Sequence, residues 1–439
     1  GAAPPAFPAG KVPPPAPAGR PPPPPVTTMR ILHPALPLWL ALTGRAWAAA
    51  FSAEEAVVRA LRHNPDLAAA RLVIQEARGR ALAAGRLADP EAEVLYLPGT
   101  GGSEYTLGLG FTQRFPLTAR LRHERALSQA RLAAATAEVR DAESALAREV
   151  RLRMVQWQAL DAHLRLGEQQ AANGRALAAA VRAAARAGES AGFEAAQLEL
   201  EAEALASPQL HHELSRATLA GELRALLGLA PEDSLTIAGE LPPPALPAGE
   251  AGPGGSPPRL AAALARAAAA EHAVSVAHAG RWQDVGVGLW AEQERLLDQP
   301  AGLRDEQRVG VRLSVPLPLW RRQEGPRLEA LTAAERARLE AAAEAARLAH
   351  QAATARGEMA AALRLHENLS AVLVPRAIKL EEDLGRAHAA GQVPLADVFR
   401  ARDQRLRLES ERVAALEAFH LARVRLADAA GLGLPATPP

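Results

Sequence analysis

Apolar positions recur every second residue in four short stretches of the chain and every third or fourth residue in two very long ones. Tyr105, Leu107, Leu109 and Phe111 alternate with Thr106, Gly108, Gly110 and Thr112, and Val309, Val311, Leu313 and Val315 alternate with Arg308, Gly310, Arg312 and Ser314. A period of two predicts strands with one apolar face and one polar or vacant face. Asp284 to Gln293 repeats the pattern through Val285, Val287, Leu289 and Ala291, and Glu91 to Leu97 is a shorter, less regular partner.

Each strand pair runs through a proline corner into a helical pattern that hardly stops. Arg120 to Arg186 spans 67 residues and Arg327 to Ala390 spans 64, each about 100 Å of rod at 1.5 Å per residue. Val139, Leu146, Val150, Met154, Trp157, Leu160 and Leu164 step along the first by 7, 4, 4, 3, 3 and 4, a narrow stripe of coiled-coil type. Pro375 stands inside the second, where it must remove a hydrogen bond and bend the rod. The rods end at glycine turns, Gly188 and Gly391, from which second helices return to Gly228 and Gly431; Pro208 is expected to interrupt the first of these.

The unit is written twice. Pro65 and Leu67 answer Pro258 and Leu260 at an offset of 193, Gly85-Arg86 answers Gly280-Arg281 at 195, Pro116 answers Pro316 at 200, and Gly188 and Gly228 answer Gly391 and Gly431 at 203. The slips fall in the strand region and its flanks, and ordered proline, glycine and strand landmarks mark a duplication. Residues 51–239 form the first repeat, 240–258 a Pro/Gly linker, 259–434 the second repeat and 435–439 a tail. Residues 1–28 hold twelve prolines and read as a disordered segment or a mis-assigned start. Residues 29–50 read as a signal peptide, with Arg30, an apolar run from Ala35 to Leu42 and Ala46-Trp47-Ala48 as the cleavage signal.

Composition narrows the function class. Only 3% of residues are aromatic, and 50 basic side chains nearly cancel 49 acidic ones, which leaves no field for nucleic acid. With no cysteine there is no disulfide, thiolate chemistry, Cys-based metal site or lipid-attachment cysteine. His211-His212 are adjacent rather than at ligand spacing, and His272 and His278 lack suitable companions. No nucleophile setting and no phosphate loop stands out, so neither a catalytic residue, a metal nor a cofactor is expected. No stretch after Ala50 holds about 18 continuous apolar residues, the length of a spanning helix.

Membrane crossing would therefore fall to the strands. Four strands cannot satisfy their own edges in a bilayer and would close into a barrel with strands of other subunits. Tyr96, Tyr105, Trp282, Trp290 and Trp320 lie in or beside the strand segments, where an interfacial aromatic belt would stand. Thr106, Thr112, Arg308, Arg312 and Ser314 are candidates for the barrel lumen, and the glycines beside them suggest a wide, unselective bore there. Gly108 and Gly110 fit close packing. The contrasting readings are small soluble sheets capping a helical bundle, and a coiled-coil scaffold with no pore.

Asn64-Pro65-Asp66-Leu67, Asp89-Pro90 before a strand, Gln113-Arg114-Phe115-Pro116-Leu117, and Ala390-Gly391-Gln392 with Asp397-Val398-Phe399 after Pro375 together resemble the TolC family of outer-membrane efflux proteins. The resemblance runs from about Ser52 to Leu434, and is nearest in look to members serving heavy-metal, cation and drug efflux pumps. It implies a mainly α protein with a transmembrane β part. Three copies would share a twelve-stranded barrel and a long α-helical periplasmic barrel, docked on a periplasmic adaptor and an inner-membrane pump. The duct would be passive and would sit in the outer membrane of a Gram-negative bacterium among its lipid. A duct for type I polypeptide secretion has the same fold with a different pump.

The resemblance also places the tips and the gate. Gly188, Glu189, Ser190, Gly391, Gln392 and Val393 would contact the adaptor. Asp397 falls where an inward acidic residue narrows related channels, and Arg400 stands where some relatives carry a second acid. Three copies of Asp397 would attract cations, or an Asp397 to Arg400 link would hold the closed tip; alternatively Asp397 is only a helix N-terminal acid. Phe193 and Phe399 are expected to pack the turns.

Overall fold

A computed structural model describes residues 50–99, 103–186, 207–245, 255–298, 302–317 and 323–432, with six single positions between 193 and 204. The proline-rich segment, the expected signal peptide to residue 49, the tip residues Gly188, Glu189 and Ser190, Trp320 and the C-terminal tail lie outside the described residues.

The described chain runs β1 (Ala50–Phe51), α1 (Ala53–His63), α2 (Pro65–Ala83), β2 (Glu91–Pro98), β3 (Tyr105–Phe115), α3 (Arg120–Arg186), α4 (Ser207–Leu227), β4 (Thr236–Ile237), α5 (Pro258–Ala279), β5 (Val285–Asp298), β6 (Gly302–Ser314), α6 (Glu324–Asn368), a π turn (Leu369–Leu373), α7 (Val374–Ala389) and α8 (Leu395–Ala429). The order α2-β2-β3-α3-α4 repeats as α5-β5-β6-α6-α7-α8, so the duplication predicted from landmarks is the architecture. The two rods begin at Arg120 and Glu324, an offset of 204 against 203 at the tip. The slips are therefore spent before the rods start.

Local chemistry explains the shared landmarks. Asn64 Oδ1 accepts from the Leu67 amide at 2.9 Å and caps α2, Pro65 occupies the first turn, and Asn64 Nδ2 donates to Leu226 O at 3.2 Å. One buried amide thus starts one helix and fastens the end of another. At Gly228, Gly391 and Gly431 the paired closing bonds of a Schellman turn recur, for example Gln392 N to Ala387 O at 2.9 Å and Gly391 N to His388 O at 2.8 Å. All three glycines sit at φ between 62° and 71°, where a side chain is strained.

The stripe predicted along α3 is buried. Val150, Met154 and Trp157 pack with Val57 and Leu61 of α1 and with Leu219, Leu223 and Leu227 of α4. The parallel bridge of β1 with β4, Ala50 beside Thr236, closes this cluster and was not legible in the sequence. In the second repeat Phe419 of α8 packs on Met359 and Ala362 of α6. Large side chains gather about halfway along each rod, and alanine is frequent elsewhere along it.

Two expectations about proline separate. The second rod is interrupted where Pro375 demands it: residues 369–373 widen into a π turn, and Pro375 falls in the first turn of α7, so the missing amide is one that a helix start leaves free. Pro208, by contrast, stands in the first turn of α4. One helix among the described residues, α5, is long and apolar enough to cross a membrane by length and composition. It packs between α3 and α6, with Arg266 paired to Glu138 at 3.4 Å and Glu271 to Arg338 at 2.9 Å.

Gly228→Ala should lower stability by about 2 kcal/mol or more, because a Cβ there would be strained and would lie 2.4 Å from His63 O. Gly221→Ala, in the open interior of α4, should raise it by roughly 0.5–1 kcal/mol. Thermal unfolding followed by circular dichroism tests the opposite signs.

Candidate channel lining and tip

The four long strands form one antiparallel sheet in the order β2-β3-β5-β6, so the hairpins of the two repeats join through β3 and β5. Facing partners share a side of the sheet, and the register sorts the residues. Val94, Leu109, Ala291 and Val309 form one row, and Ala92, Phe111, Leu289 and Val311 the next. This side is exposed: Val309 is 82% accessible, Val311 72%, Val94 70% and Leu289 60%. A soluble sheet capping a bundle would bury these positions, whereas lipid would cover them.

Tyr96 and Tyr105 stand at the far edge of the apolar rows with ring centroids 6.3 Å apart, and the Arg295 guanidinium lies 5.4 Å from the Tyr105 centroid. Arg295 also holds Asp305 through bonds of 2.6 and 2.8 Å. From Leu107 to Phe115 the strand covers about 27 Å, the scale of a transmembrane strand. β5 and β6 run on past this edge to Asp298 and Gly302, further than the apolar alternation predicts. Their extension carries charged pairs in place of an apolar stripe.

The opposite side carries all five predicted lumen residues: Thr106, Thr112, Arg308, Arg312 and Ser314. It is concave. Arg312 of β6 reaches Glu93 of β2 at 3.8 Å, although three strand spacings, about 14 Å in a flat sheet, separate the two edges. Side chains standing off a flat sheet cannot close that distance.

Concavity crowds side chains together, and Gly108, Gly110, Gly286, Gly288 and Gly310 all lie on this side. A Cβ at Gly310 would fall 2.5 Å from the Trp290 ring, one at Gly288 2.8 Å from Thr112 Oγ1, and one at Gly108 3.2 Å from Leu95. The close-packing role expected of Gly108 holds, and neighbouring side chains occupy the room that Gly108, Gly288 and Gly310 leave. Trp290 is displaced from the expected belt. It lies on the concave side over Gly310, while Tyr96 and Tyr105 edge the apolar rows.

The sheet is fastened to the rods at its base. Arg120, at the start of α3, pairs with Asp284 before β5 at 2.6 Å and with Glu124 at 2.6 Å, and Thr118 Oγ1 donates to Ala279 O at 2.9 Å. Gly85, at φ 65°, lies where a Cβ would meet Leu121 O at 2.3 Å, which requires glycine there, whereas its counterpart Gly280 sits at φ −70°.

At the other end α7 and α8 form a hairpin through Gly391, Gln392 and Val393. Asp397 and Arg400 are brought together at 3.1 Å on the first turns of α8, both partly exposed. The pair lies within one helix. Glu381 of α7 holds Arg402 and Arg405 of α8 at 2.7 Å each, so these two arginines, which the sequence reading passed over, fasten the hairpin. Phe193 does not pack as expected: it is 79% exposed. Phe399 is partly buried, and its carbonyl accepts from Asn173 Nδ2 at 3.0 Å.

The described histidines form no metal-ligand group with acidic side chains. His163 of α3 stacks on His212 of α4, with centroids 5.5 Å apart, and shares a 3.0 Å hydrogen bond with Ser410 of α8. Burial, and then the neighbouring His212, push its pKa below 6.5.

Three solved structures set this geometry beside known proteins. The outer membrane protein VceC from Vibrio cholerae is 19% identical, with a TM-score of 0.71 over 86% of this chain and 96% of that one. The CmeC outer membrane channel of Campylobacter jejuni is 15% identical, with a TM-score of 0.67 over 88% and 87%. The open-state MtrE outer membrane channel of Neisseria gonorrhoeae is 17% identical, with a TM-score of 0.67 over 88% and 91%. No protein-family model and no curated protein matches the sequence. The fold is that of outer-membrane channels over nearly the whole of their length.

Because the folded His163 resists protonation, its stabilising neutral form is present above the unfolded pKa and is lost as pH falls through the lower folded value. The thermal midpoint should drop on acidification below pH 6.5. In His163→Gln that drop should be shallower; an unchanged slope would assign it elsewhere.

Proposed function

We propose that the chain is one third of a passive exit duct of the outer membrane of a Gram-negative bacterium. The single observation that carries this reading is the sheet. Its exposed convex side is apolar and edged by tyrosine, its concave side is polar, and among the described residues both its edges are unpaired. In lipid such edges must be paired. Three copies supply twelve strands to one closed barrel, and their rods, each about 100 Å long, continue it across the periplasm.

The chain has no source of energy in this reading. A periplasmic adaptor meets the helical tips around Gly391, Gln392 and Val393, with Gly188, Glu189 and Ser190 as their counterparts in the first repeat, and an inner-membrane pump drives cargo into the duct. The cargo proposed from the sequence resemblance is heavy-metal cations or drugs. Asp397, with Arg400 beside it, stands at the narrow end, where three carboxylates around an axis favour cations. Polar groups on the concave wall pass cargo along without binding it to a metal or cofactor.

Protein extracted by detergent from outer-membrane fractions should migrate as a trimer that collapses to single chains on boiling. A soluble monomer or dimer would overturn the duct in favour of a coiled-coil scaffold. In planar bilayers Asp397→Ala should raise single-channel conductance and lower cation preference. Arg400→Ala separates two roles: if the carboxylate acts as a charge, cation preference rises, whereas if the ion pair holds the tip, Arg400→Ala opens the channel as Asp397→Ala does.

A further inference from the structure

The two unpaired edges of the sheet differ in charge on the concave side. There β2 presents Glu91 and Glu93 followed by Leu95 and Leu97, with no basic residue. β6 presents Arg304, Arg308 and Arg312 with one acid, Glu306. The acidic edge therefore carries two negative charges and the basic edge a net two positive charges. Glu306 is already held by Arg308 at 2.8 Å and by Arg304 at 3.6 Å.

We infer that this opposition is an edge code by which copies of the chain join head to tail, the basic β6 edge of one against the acidic β2 edge of the next. The inference rests on the duct reading above and adds what selects the partner edge. By backbone hydrogen bonding alone an unpaired strand can accept any strand, so two β2 edges, or two β6 edges, could pair about a twofold axis that points the rods of the two copies in opposite directions. The first twofold arrangement gathers four carboxylates on one concave surface, and the second leaves an excess of arginine. Like charges across a strand pair destabilise it and opposite charges stabilise it. Only the head-to-tail pairing is neutral, and only a head-to-tail contact repeats into a closed ring.

Within one copy Glu91 is held by Arg114 at 2.9 Å and Arg308 by Glu294 at 2.8 Å, whereas the third pair is long: Arg312 stretches to Glu93 at 3.8 Å while the two side chains remain 63% and 70% exposed. In a ring the neighbouring β2 edge stands a single strand spacing from β6, about 4.8 Å, so the same acid arrives at short range of Arg312 from the next copy. Arg308 and Glu91, 50% and 60% exposed, keep room for a further partner beside the ones they hold. The pleat agrees: Val94 and Val309 both stand on the convex side, so joining β6 to β2 with the apolar sides in line leaves Glu91, Glu93, Arg308 and Arg312 on the lumen wall together.

The test uses the full chain, extracted in detergent and run unheated at low salt, with strand content checked by circular dichroism. Glu91→Lys with Glu93→Lys should reduce recovered trimer on the order of tenfold, and Arg308→Glu with Arg312→Glu should do the same. The four-site chain, whose edges are again complementary with the signs exchanged, should restore it. Trimer recovery unaffected in both two-site variants would overturn the inference and leave the duct reading intact. The same holds for a four-site chain that folds but assembles no better than either parent. A wild-type chain that forms no ring would overturn the duct reading and the edge code together.

Discussion

A backbone amide left unpaired in hydrocarbon costs several kcal/mol, and a four-stranded sheet has two edges full of them. That constraint organises the molecule. In the proposed duct the exposed apolar side stands against lipid, and lipid makes an open edge untenable. The edges would then be met by strands from other copies, and a sheet that closes must curve. Curvature crowds its inner surface, and there the chain has placed five of its six described strand glycines, Gly108, Gly110, Gly286, Gly288 and Gly310, with Trp290, Thr112 and Leu95 beside three of them. The residues that first look vacant permit the bend.

The same logic reaches the helices. Rods this long cannot be held by local propensity, and the core explains how they are held. Large side chains concentrate midway along the first rod, where α1, α3 and α4 converge on Met154 and Trp157. Elsewhere alanine allows close approach, and ion pairs such as Arg148 with Asp428 at 2.6 Å and Arg71 with Glu143 at 2.7 Å cross between helices. Such pairs fix alignment more than they add stability. Duplication lets one solution serve twice among the described residues: a proline start, two strands, a rod, a return helix and a Schellman close.

Much of this was legible in the sequence because the signals are periodic or punctuated. Alternation gave the strands, the 3-4 stripe gave α3 with both ends at Arg120 and Arg186, and the glycines gave the turns. The predicted lumen residues share one side of the sheet because parity is a property of residue number. What sequence could not give depends on curvature and on distant partners. Trp290 looks like a belt residue until register shows that it faces Gly110 and Gly310. The extension of β5 and β6 rests on cross-strand pairs such as Arg295 with Asp305, which leave no apolar period. At the tip, Asp397 and Arg400 were legible as neighbours on a helix, while the clamp of Glu381 on Arg402 and Arg405 joins residues more than twenty apart and has no local mark.

The π turn gives the two rods different mechanics. The first repeat's rod is α-helix throughout its described length, while the second has a soft joint at 369–373, one 16-residue helix from the Gly391 turn. A stiff beam spreads a load along its length, but a jointed one concentrates it, and α7 then acts as a lever of about 24 Å. A swing of about ten degrees at the joint carries the end of that lever by about 4 Å. A duct of three such chains would have three jointed rods, one from each copy, among continuous ones, so its mouth could dilate while its wall kept its shape.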